Sequence, residues 1–316
     1  MKLTIIAPLF VGLLATGCAA TTTEGDEGAT GQTEGELSLS DRLGISRGGS
    51  VQVDVLPFMT LATASFTRGQ GPSCKTSFPT LNCELVECGS DAFAPTDGHA
   101  GVITISGGKN PVTLTPEADG YYSEFLDFNT PGAPFFAAGA PITVSAAGGS
   151  AIGPFSVSGL SVPGALVVSS LAKDADGNLL PPTIDRSQRL ALTWQAANAN
   201  AVEVVISSSE GWFSTTIDGQ FDATSNKTLS CVFPGASGGG VIPASALAKF
   251  TAGSTTEITP DVYHGKVDAR LGYFHVTPQN RKAVLQRVPG TLKPRAVDVV
   301  VQAQQTGAQV SQLTFR

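Results

Sequence analysis

Short segments in which apolar and polar residues alternate recur along most of the chain, and they constrain its fold more than any other feature. Such alternation is typical of β-strands that bury one face. The segments lie at residues 51–55, 60–66, 102–105, 112–115, 142–145, 165–168, 189–194, 202–206, 228–233, 297–301 and 310–315. Asp-Gly turn signals begin at 97, 119, 176 and 218. The pattern predicts an all-β fold of antiparallel, immunoglobulin-like sandwiches.

The composition favours the same class. Charged residues make up 14% of the chain, against about 25% in typical soluble domains, which argues against helical bundles rich in Glu, Lys and Ala. One segment departs from the pattern, because Pro243 stands at a first-turn position and Leu247 and Phe250 are three residues apart. We expect one short helix within residues 242–250.

The chain is long enough for two medium domains. Paired glycines at 148 and 149 and Gly-Pro pairs between 154 and 163 separate two β-rich halves of similar length. The sequence therefore predicts two β-sandwich domains in tandem, at residues 46–160 and 161–316.

The first 17 residues have the pattern of a bacterial signal peptide. Lys2 gives a positive start, residues 3–15 are mostly apolar, and Ala15-Thr-Gly-Cys18 is a cleavage site of small residues. The apolar run is shorter than the about 20 residues of a membrane-spanning helix. The segment 1–17 is therefore predicted to be removed after export.

Leu14-Ala-Thr-Gly-Cys18 resembles the lipobox of bacterial lipoproteins, with Ala15 at a place where leucine is commoner. The resemblance implies acyl chains on Cys18, so that the protein would be held to a membrane by lipid. Ala19 rather than aspartate follows Cys18, and in the enterobacterial sorting pattern this favours the outer membrane. The alternative is an ordinary secretory signal with an incidental cysteine.

Residues 18–45 are predicted to form a flexible acidic tether. Residues 19–40 contain almost no apolar mass and carry five acidic residues with no basic residue between them: Glu24, Asp26, Glu27, Glu34 and Glu36. Such a segment cannot bury enough surface to fold. The net charge of -7 therefore arises largely outside the body, and it identifies no acidic or basic partner.

The body contains four cysteines, Cys74, Cys83, Cys88 and Cys231. An even number in an exported chain predicts disulfides, with at least one among the first three. A hairpin centred near Leu81 would place Cys74 opposite Cys88, which favours that pair, although three complete pairings are possible. A zinc site that uses Cys83 and Cys88 is the rival, but no histidine stands near and export favours oxidation.

Several strings in the body together resemble a group of uncharacterised lipoproteins of the myxobacterial type. They are the cysteine spacing at 74–88, Ala118-Asp-Gly-Tyr121, Phe136-Ala-Ala-Gly139, Leu190-Ala-Leu-Thr-Trp194 and the stretch from Cys231 to Pro243. The resemblance covers most of the body. It implies a lipobox leader and a β-sandwich body, and it carries no activity.

Gly235-Ala-Ser237-Gly-Gly239 matches the Gly-x-Ser-x-Gly pattern of serine hydrolases. A nucleophile elbow leads straight into a helix, whereas Gly240-Val-Ile-Pro243 intervenes here. The hydrolase triad also needs a later histidine, and His264 and His275 satisfy that order. A glycine-rich connection is the favoured interpretation, and a secreted serine hydrolase that uses Ser237 is the alternative function.

No metal site or cofactor is predicted. The three histidines, His99, His264 and His275, stand in separate segments without ligand spacing. Asp174-Ala-Asp-Gly-Asn178 lacks the closing glutamate of an EF-hand calcium loop and is predicted to be a turn. No pair of carboxylates stands in an aromatic strand-end cluster of the kind that glycosidases use.

Binding signals are confined to one aromatic residue and one basic region. Trp212 follows small residues at 207–211 and is predicted to be a loop residue that could stack on a sugar ring, whereas Trp194 is predicted to be core. Residues 266–295 carry excess basic charge, which suggests either a solvated face at a sheet edge or contact with an acidic polymer.

The predicted partners are the membrane and a polysaccharide or another envelope protein, with no nucleic-acid motif. The sequence thus predicts a non-catalytic envelope lipoprotein.

Overall fold

The computed structural model describes residues 32–34, 47–56, 59–66, 74–89, 98–117, 120–128, 135–137, 139–213, 221–255, 267–287, 289, 294–303, 309–310 and 312–316. The predicted leader and Cys18 lie outside these residues. Within them the chain is almost entirely β-structure, so the prediction of an all-β fold is confirmed. No helix in the described segments is both long and apolar enough to cross a membrane.

The first ten strands are β1 (Gln32–Glu34), β2 (Arg47–Val55), β3 (Met59–Phe66), β4 (Lys75–Thr80), β5 (Cys83–Gly89), β6 (Ile103–Ser106), β7 (Val112–Leu114), β8 (Tyr122–Phe128), β9 (Ile142–Ala146) and β10 (Phe155–Leu160). The others are β11 (Leu166–Val168), β12 (Thr183–Ile184), β13 (Leu190–Ala196), β14 (Ala201–Phe213), β15 (Phe221–Pro234), β16 (Gly239–Ile242), β17 (Gly253–Ser254), β18 (Val267–Arg287), β19 (Pro294–Ala303), β20 (Gln309–Val310) and β21 (Thr314–Phe315).

One large sheet organises the molecule. Its strand order is β4-β5-β15-β14-β18-β19-β2-β3-β8, and β1 and β20 also pair with β18. A four-stranded sheet has the order β10-β9-β6-β7, and two small sheets have the orders β11-β13-β16 and β12-β21-β17. Most pairs are antiparallel, but β19 pairs with β2 and β12 with β21 in parallel. The prediction of purely antiparallel sheets is therefore wrong at these two places, where strands distant in sequence become neighbours.

Two hydrophobic cores lie against this sheet. The first joins β2, β3 and β19 to the four-stranded sheet, and the second joins β5, β14 and β15 to the two small sheets. The long strand β18 reaches both cores, because it contributes Phe274 and Val276 to the second and Val284 to the first. Both cores thus rest on one shared sheet.

Strand pairing crosses the predicted boundary at residue 160. The hairpin of β4 and β5 precedes the boundary but pairs with β15, and β19 follows it but packs in the first core. The division into 46–160 and 161–316 stays a prediction, and the observed cores draw segments from both sides of it.

Three residues of the predicted tether form β1, which pairs with Lys282–Val284 of β18. Strand β14 ends its pairing with β18 where Ala201 meets Gln279, so β18 continues past its neighbour and β1 pairs with that continuation. The remainder of the predicted tether lies outside the described residues.

The predicted short helix is present as α1 (Ala244–Leu247), with Pro243 at its N-cap. Leu247 and Phe250 are buried in the second core, and the Phe250 ring stacks on Phe315 at 4.9 Å between centroids. The short helix was therefore predicted correctly, although Phe250 lies three residues beyond its end.

Candidate functional site

The face of the large sheet opposite the two cores carries a run of buried polar side chains. Alternation along β18 places Phe274 and Val276 toward the second core, and therefore places His275, Thr277 and Gln279 on the opposite face. His275, Thr277 and Gln279 are 6%, 0% and 2% exposed. Buried polar groups on a strand require hydrogen-bond partners, and the neighbouring strands supply them.

Six side chains from five strands form a connected polar network on this face. Its members are Gln52, Asp54, Glu203, Ser230, Gln279 and Gln302. The strands β15, β14, β18, β19 and β2 are successive neighbours in the sheet. The polar network therefore crosses the sheet roughly at right angles to its strands.

Gln279 is the central member of the polar network. Its Nε2 donates to Glu203 Oε2 at 2.5 Å and to Gln302 Oε1 at 2.9 Å. Gln302 Nε2 then donates to Asp54 Oδ1 at 2.5 Å, so the amides are oriented by the carboxylates at the two ends. Ser230 Oγ donates to Glu203 Oε1 at 2.5 Å, and Gln52 Nε2 donates to both oxygens of Asp54.

The environment changes the acidity of the groups on this face. Burial raises the pKa of Asp54, the hydrogen bonds from Gln52 and Gln302 oppose that rise, and the charge of Glu203 adds to it. Burial, assisted by the charges of Glu203 and Asp54, raises the pKa of Tyr273 to about 12. The two carboxylates and the Tyr273 hydroxyl therefore share one electrostatic environment.

His275 is held neutral at physiological pH. Burial lowers its pKa to about 4, although the charge of Glu203 acts in the opposite direction. Its ring is hydrogen-bonded to the Thr277 hydroxyl and lies 5.6 Å from the Tyr273 ring between centroids. Neutral His275 therefore contributes a polar and aromatic surface without a charge.

Ser237 was the sequence candidate for a nucleophile, and its hydroxyl is engaged by nearby backbone. The residue lies in a one-turn 3-10 helix, Gly235–Ser237, and its Oγ is 2.7 Å from the carbonyl oxygens of both Pro234 and Gly239. His275 is hydrogen-bonded to Thr277 instead, and His264 lies outside the described residues. The structure brings no histidine to Ser237 within the described part of the chain.

Trp212 is a strand residue, so the prediction that places it in a loop is wrong. It lies in β14, where its backbone pairs with Asp222 and Asp268. The small residues before it have low strand propensity, but pairing with strands on both sides overrides that preference. The Trp212 side chain lies outside the described residues. Trp194 is 3% exposed, which confirms its predicted place in the core.

The predicted disulfides are present as two pairs, Cys74 with Cys88 and Cys83 with Cys231. The β4–β5 hairpin sets the first pair opposite each other, as predicted. The second pair is opposite in the register of β5 and β15. Both Cys83 and Cys88 are therefore in disulfides, and the rival zinc site is not formed.

The predicted turn at residues 174–178 is confirmed. Asp174 Oδ1 accepts hydrogen bonds from the backbone N–H groups of Asp176 and Asn178, and the Asn178 side chain and backbone bonds lower the pKa of Asp174. Across the described segments, no group of three or more His, Cys, Asp or Glu side chains has the arrangement of a metal site.

The basic region within residues 266–295 does not form a solvated sheet edge. Its strand, β18, is central in the large sheet. Arg281 lies 3.6 Å from Asp298 and is 8% exposed, Arg270 lies 3.1 Å from Glu210, and Lys282 donates to the Ser158 carbonyl. The prediction of an edge is wrong, because the alternation along β18 sends these cations to opposite faces, where acidic groups or carbonyls receive them.

No member of the polar network stands out in the sequence. In an isolated alternating strand, polar positions such as Gln52, Asp54 and Glu203 are interpreted as solvent-facing. The available signal was that the polar positions of several separate strands are amide or carboxylate side chains. Only the strand order shows that they are neighbours.

A comparison of the sequence with models of known protein families and with curated proteins gives no match. The polar network therefore has to be interpreted from its own chemistry.

Proposed function

We propose that the chain is an exported lipoprotein of the cell envelope, held to the outer membrane by acyl chains on Cys18, with a non-catalytic body that binds an envelope polysaccharide or protein. The observation that carries the proposal is the pairing of the cysteines. Five cysteines occur in the chain, and the four in the body form two disulfides. Cys18 is the fifth, and it stands in the lipobox-like sequence.

Disulfides form and persist in oxidising compartments, so both pairs support export of the body. The pairing also leaves Cys18 without a cysteine partner in this chain, and an unpaired cysteine after a small-residue cleavage site is the substrate for lipidation. Export and anchoring therefore rest on two different sets of cysteines.

A binding body is supported by the chemistry of the large sheet. The polar network gathers amides and carboxylates on one face, whereas the Ser237 hydroxyl is directed to backbone carbonyls. A serine nucleophile needs a base within hydrogen-bond reach. This arrangement favours recognition over hydrolysis.

The anchor is tested by membrane fractionation and palmitate labelling of the wild type and of Cys18→Ser. We expect labelled wild-type protein in the membrane fraction and unlabelled, soluble Cys18→Ser. The double variant Cys74→Ser/Cys88→Ser is the matched control, because it removes cysteines but leaves the lipobox intact, and it should stay labelled. Absence of label from wild-type protein with an intact leader would overturn the anchor.

The non-catalytic part is tested with a fluorophosphonate probe on purified protein. We expect no covalent label. Labelling that is lost in Ser237→Ala would replace this proposal with a serine hydrolase.

A further inference from the structure

Two carboxylates of the polar network have no basic partner among the described residues. The ion pairs of the described residues join Lys227 to Glu87, Arg270 to Glu210, Arg281 to Asp298 and Arg316 to Asp185. None of them includes Asp54 or Glu203. A partly buried carboxylate is costly unless a cation or a full set of hydrogen bonds compensates it.

The hydrogen bonds of these carboxylates show which protonation state they favour. Every bond to Glu203 and Asp54 comes from a donor, namely Ser230 and Gln279 for the first and Gln52 and Gln302 for the second. Hydrogen bonds donated to a carboxylate favour its ionised form. The face therefore holds two negative charges that donors orient but do not neutralise.

Gln279 adds a buried acceptor between the two charges. Both hydrogens of its Nε2 are donated, one to Glu203 and one to Gln302. Its Oε1 is buried and has no hydrogen-bond partner among the described residues, and the residue is 2% exposed. A flipped amide would place Oε1 against the Glu203 carboxylate and the Gln302 carbonyl, so these two acceptors fix the orientation of Gln279. An acceptor in this position requires a donor from outside the network.

Two aromatic rings lie on the same face of β18 as Gln279. Tyr273 and His275 precede Gln279 on the same face of β18, and their rings are 5.6 Å apart. The charges of Glu203 and Asp54 act on the Tyr273 hydroxyl, so the ring lies within their field. Tyr273, Glu203 and Asp54 are each partly exposed, which leaves the charged ends of the network open to solvent.

We propose that the polar network binds the ammonium group of an organic amine, with Gln279 Oε1 and Glu203 as acceptors, Asp54 as a second negative charge and Tyr273 as an aromatic neighbour. An ammonium group brings three donors and a positive charge, and aromatic faces attract such cations. The inference deepens the proposed binding role and rests on it: it gives the ligand a positively charged nitrogen, as in a de-acetylated amino sugar, a polyamine or an ethanolamine headgroup.

A metal ion fits the polar network less well. Calcium takes six to eight oxygen ligands, and magnesium needs near-octahedral geometry. Here N–H and O–H donors already occupy oxygens of both carboxylates, and the described residues form no cluster suited to a metal. A neutral sugar would supply donors but no charge to balance Glu203 and Asp54.

The ligand class is tested by calorimetric titration of the full mature chain in detergent with glucosamine, N-acetylglucosamine and glucose. These three probes share a ring and differ in the charge and donors at one position. We expect glucosamine to bind at least roughly tenfold more tightly than either neutral sugar. Equal affinities for the three sugars would overturn the proposal if putrescine and glycerophosphoethanolamine also fail to bind. Binding of either of those two amines instead would identify a polyamine or a headgroup as the source of the ammonium group.

The location is tested with Glu203→Gln and Gln279→Met, which remove one charge and one acceptor with little change in volume. We expect each to weaken binding of the preferred amine by roughly tenfold or more. Glu87→Gln is the control, because that carboxylate pairs with Lys227 outside the network, and it should bind as the wild type does. Wild-type affinity in both network variants would overturn the assignment, and circular dichroism shows whether each variant is folded.

Failure of this inference differs from failure of the proposed anchor. Amine binding by a protein that lacks acyl chains would remove the anchor and leave the site. Acylated protein that binds no amine would remove the site and leave the anchor.

Discussion

Arg281 and Asp298 form an ion pair across β18 and β19 that is almost fully removed from solvent. Arg281 Nη2 lies 3.6 Å from Asp298 Oδ2, and the two residues are 8% and 6% exposed. The pair lies on the same face of the large sheet as the polar network. This face is therefore both polar and buried. Substitutions that change charge there should alter the free energy of unfolding more than they would at an exposed surface.

Breaking the pair on one side should destabilise the protein strongly. Asp298→Ala leaves the Arg281 guanidinium buried without its carboxylate, and loss of one member of a buried pair typically costs about 3–5 kcal/mol. The double variant Arg281→Met/Asp298→Leu removes both charges and should recover much of the loss. The free energy of unfolding in urea measures both effects. A double variant less stable than Asp298→Ala would contradict this account of the pair.

His275 should make the protein less stable in mild acid. Its pKa is about 4 in the folded state, against an ordinary value of 6.5. The unfolded chain therefore binds the proton more readily, so stability is lost as the pH falls from about 6.5 toward 4. The loss from this residue is on the order of 3 kcal/mol. Unfolding measured at pH 7 and pH 4.5 should show a smaller decrease in His275→Gln than in the wild type, and equal decreases would contradict burial of a neutral imidazole.

The two disulfides should differ in their contribution to stability. Cys83 and Cys231 are 148 residues apart, and Cys74 and Cys88 are 14 apart. In the chain-entropy model the longer loop is worth about 5 kcal/mol and the shorter about 3 kcal/mol. Cys83→Ala/Cys231→Ala should therefore lower the free energy of unfolding more than Cys74→Ala/Cys88→Ala. The reverse order in denaturant titrations would show that chain entropy does not dominate here.

The Tyr122 hydroxyl should contribute measurably to the first core. It accepts a hydrogen bond from the Ala100 N–H at 3.0 Å and donates to the Gly101 carbonyl at 2.7 Å. Tyr122→Phe leaves the buried Ala100 N–H unsatisfied, which typically costs about 1–3 kcal/mol. Tyr121→Phe is the control, because Tyr121 is 40% exposed. A loss no larger than that of the control would show that solvent replaces the hydroxyl.

The positions of many strands were predictable because apolar and polar residues alternate along them. Segments such as 51–55 and 202–206 alternate clearly, and they lie in β2 and β14. The helix at Ala244–Leu247 was predictable because Pro243 precedes it and the buried residues recur at helical spacing. These signals are local, so the sequence contains them in full.

The longest strand was not predicted. Strand β18 spans 21 residues and contains Pro278 and Gly272. It carries polar residues on the face opposite the two cores. Proline is unfavourable inside a sheet, but Pro278 lies between the segments of β18 that pair with β20 and with β19. A missing N–H is tolerated at such an interruption. The local sequence of β18 therefore disfavours a strand. Pairing with the neighbouring strands stabilises it nevertheless.

The candidate site was not predictable for a similar reason. Asp54 and Glu203 are 149 residues apart in sequence, and they belong to one network only because β2, β19, β18 and β14 are successive neighbours. The parallel pairing of β2 with β19 brings Gln302 opposite Asp54. A hydrogen-bond network that depends on strand order leaves no signal in the separate strands.

The most direct test of the central claim is mass spectrometry of unreduced protein isolated from membranes of cells that express the full chain. We expect a Cys74–Cys88 peptide pair, a Cys83–Cys231 peptide pair, and an N-terminal peptide that begins at Cys18 and carries acyl chains. All four body cysteines as free thiols, or an N-terminal peptide without acyl chains, would contradict the proposal of an exported, lipid-anchored envelope protein.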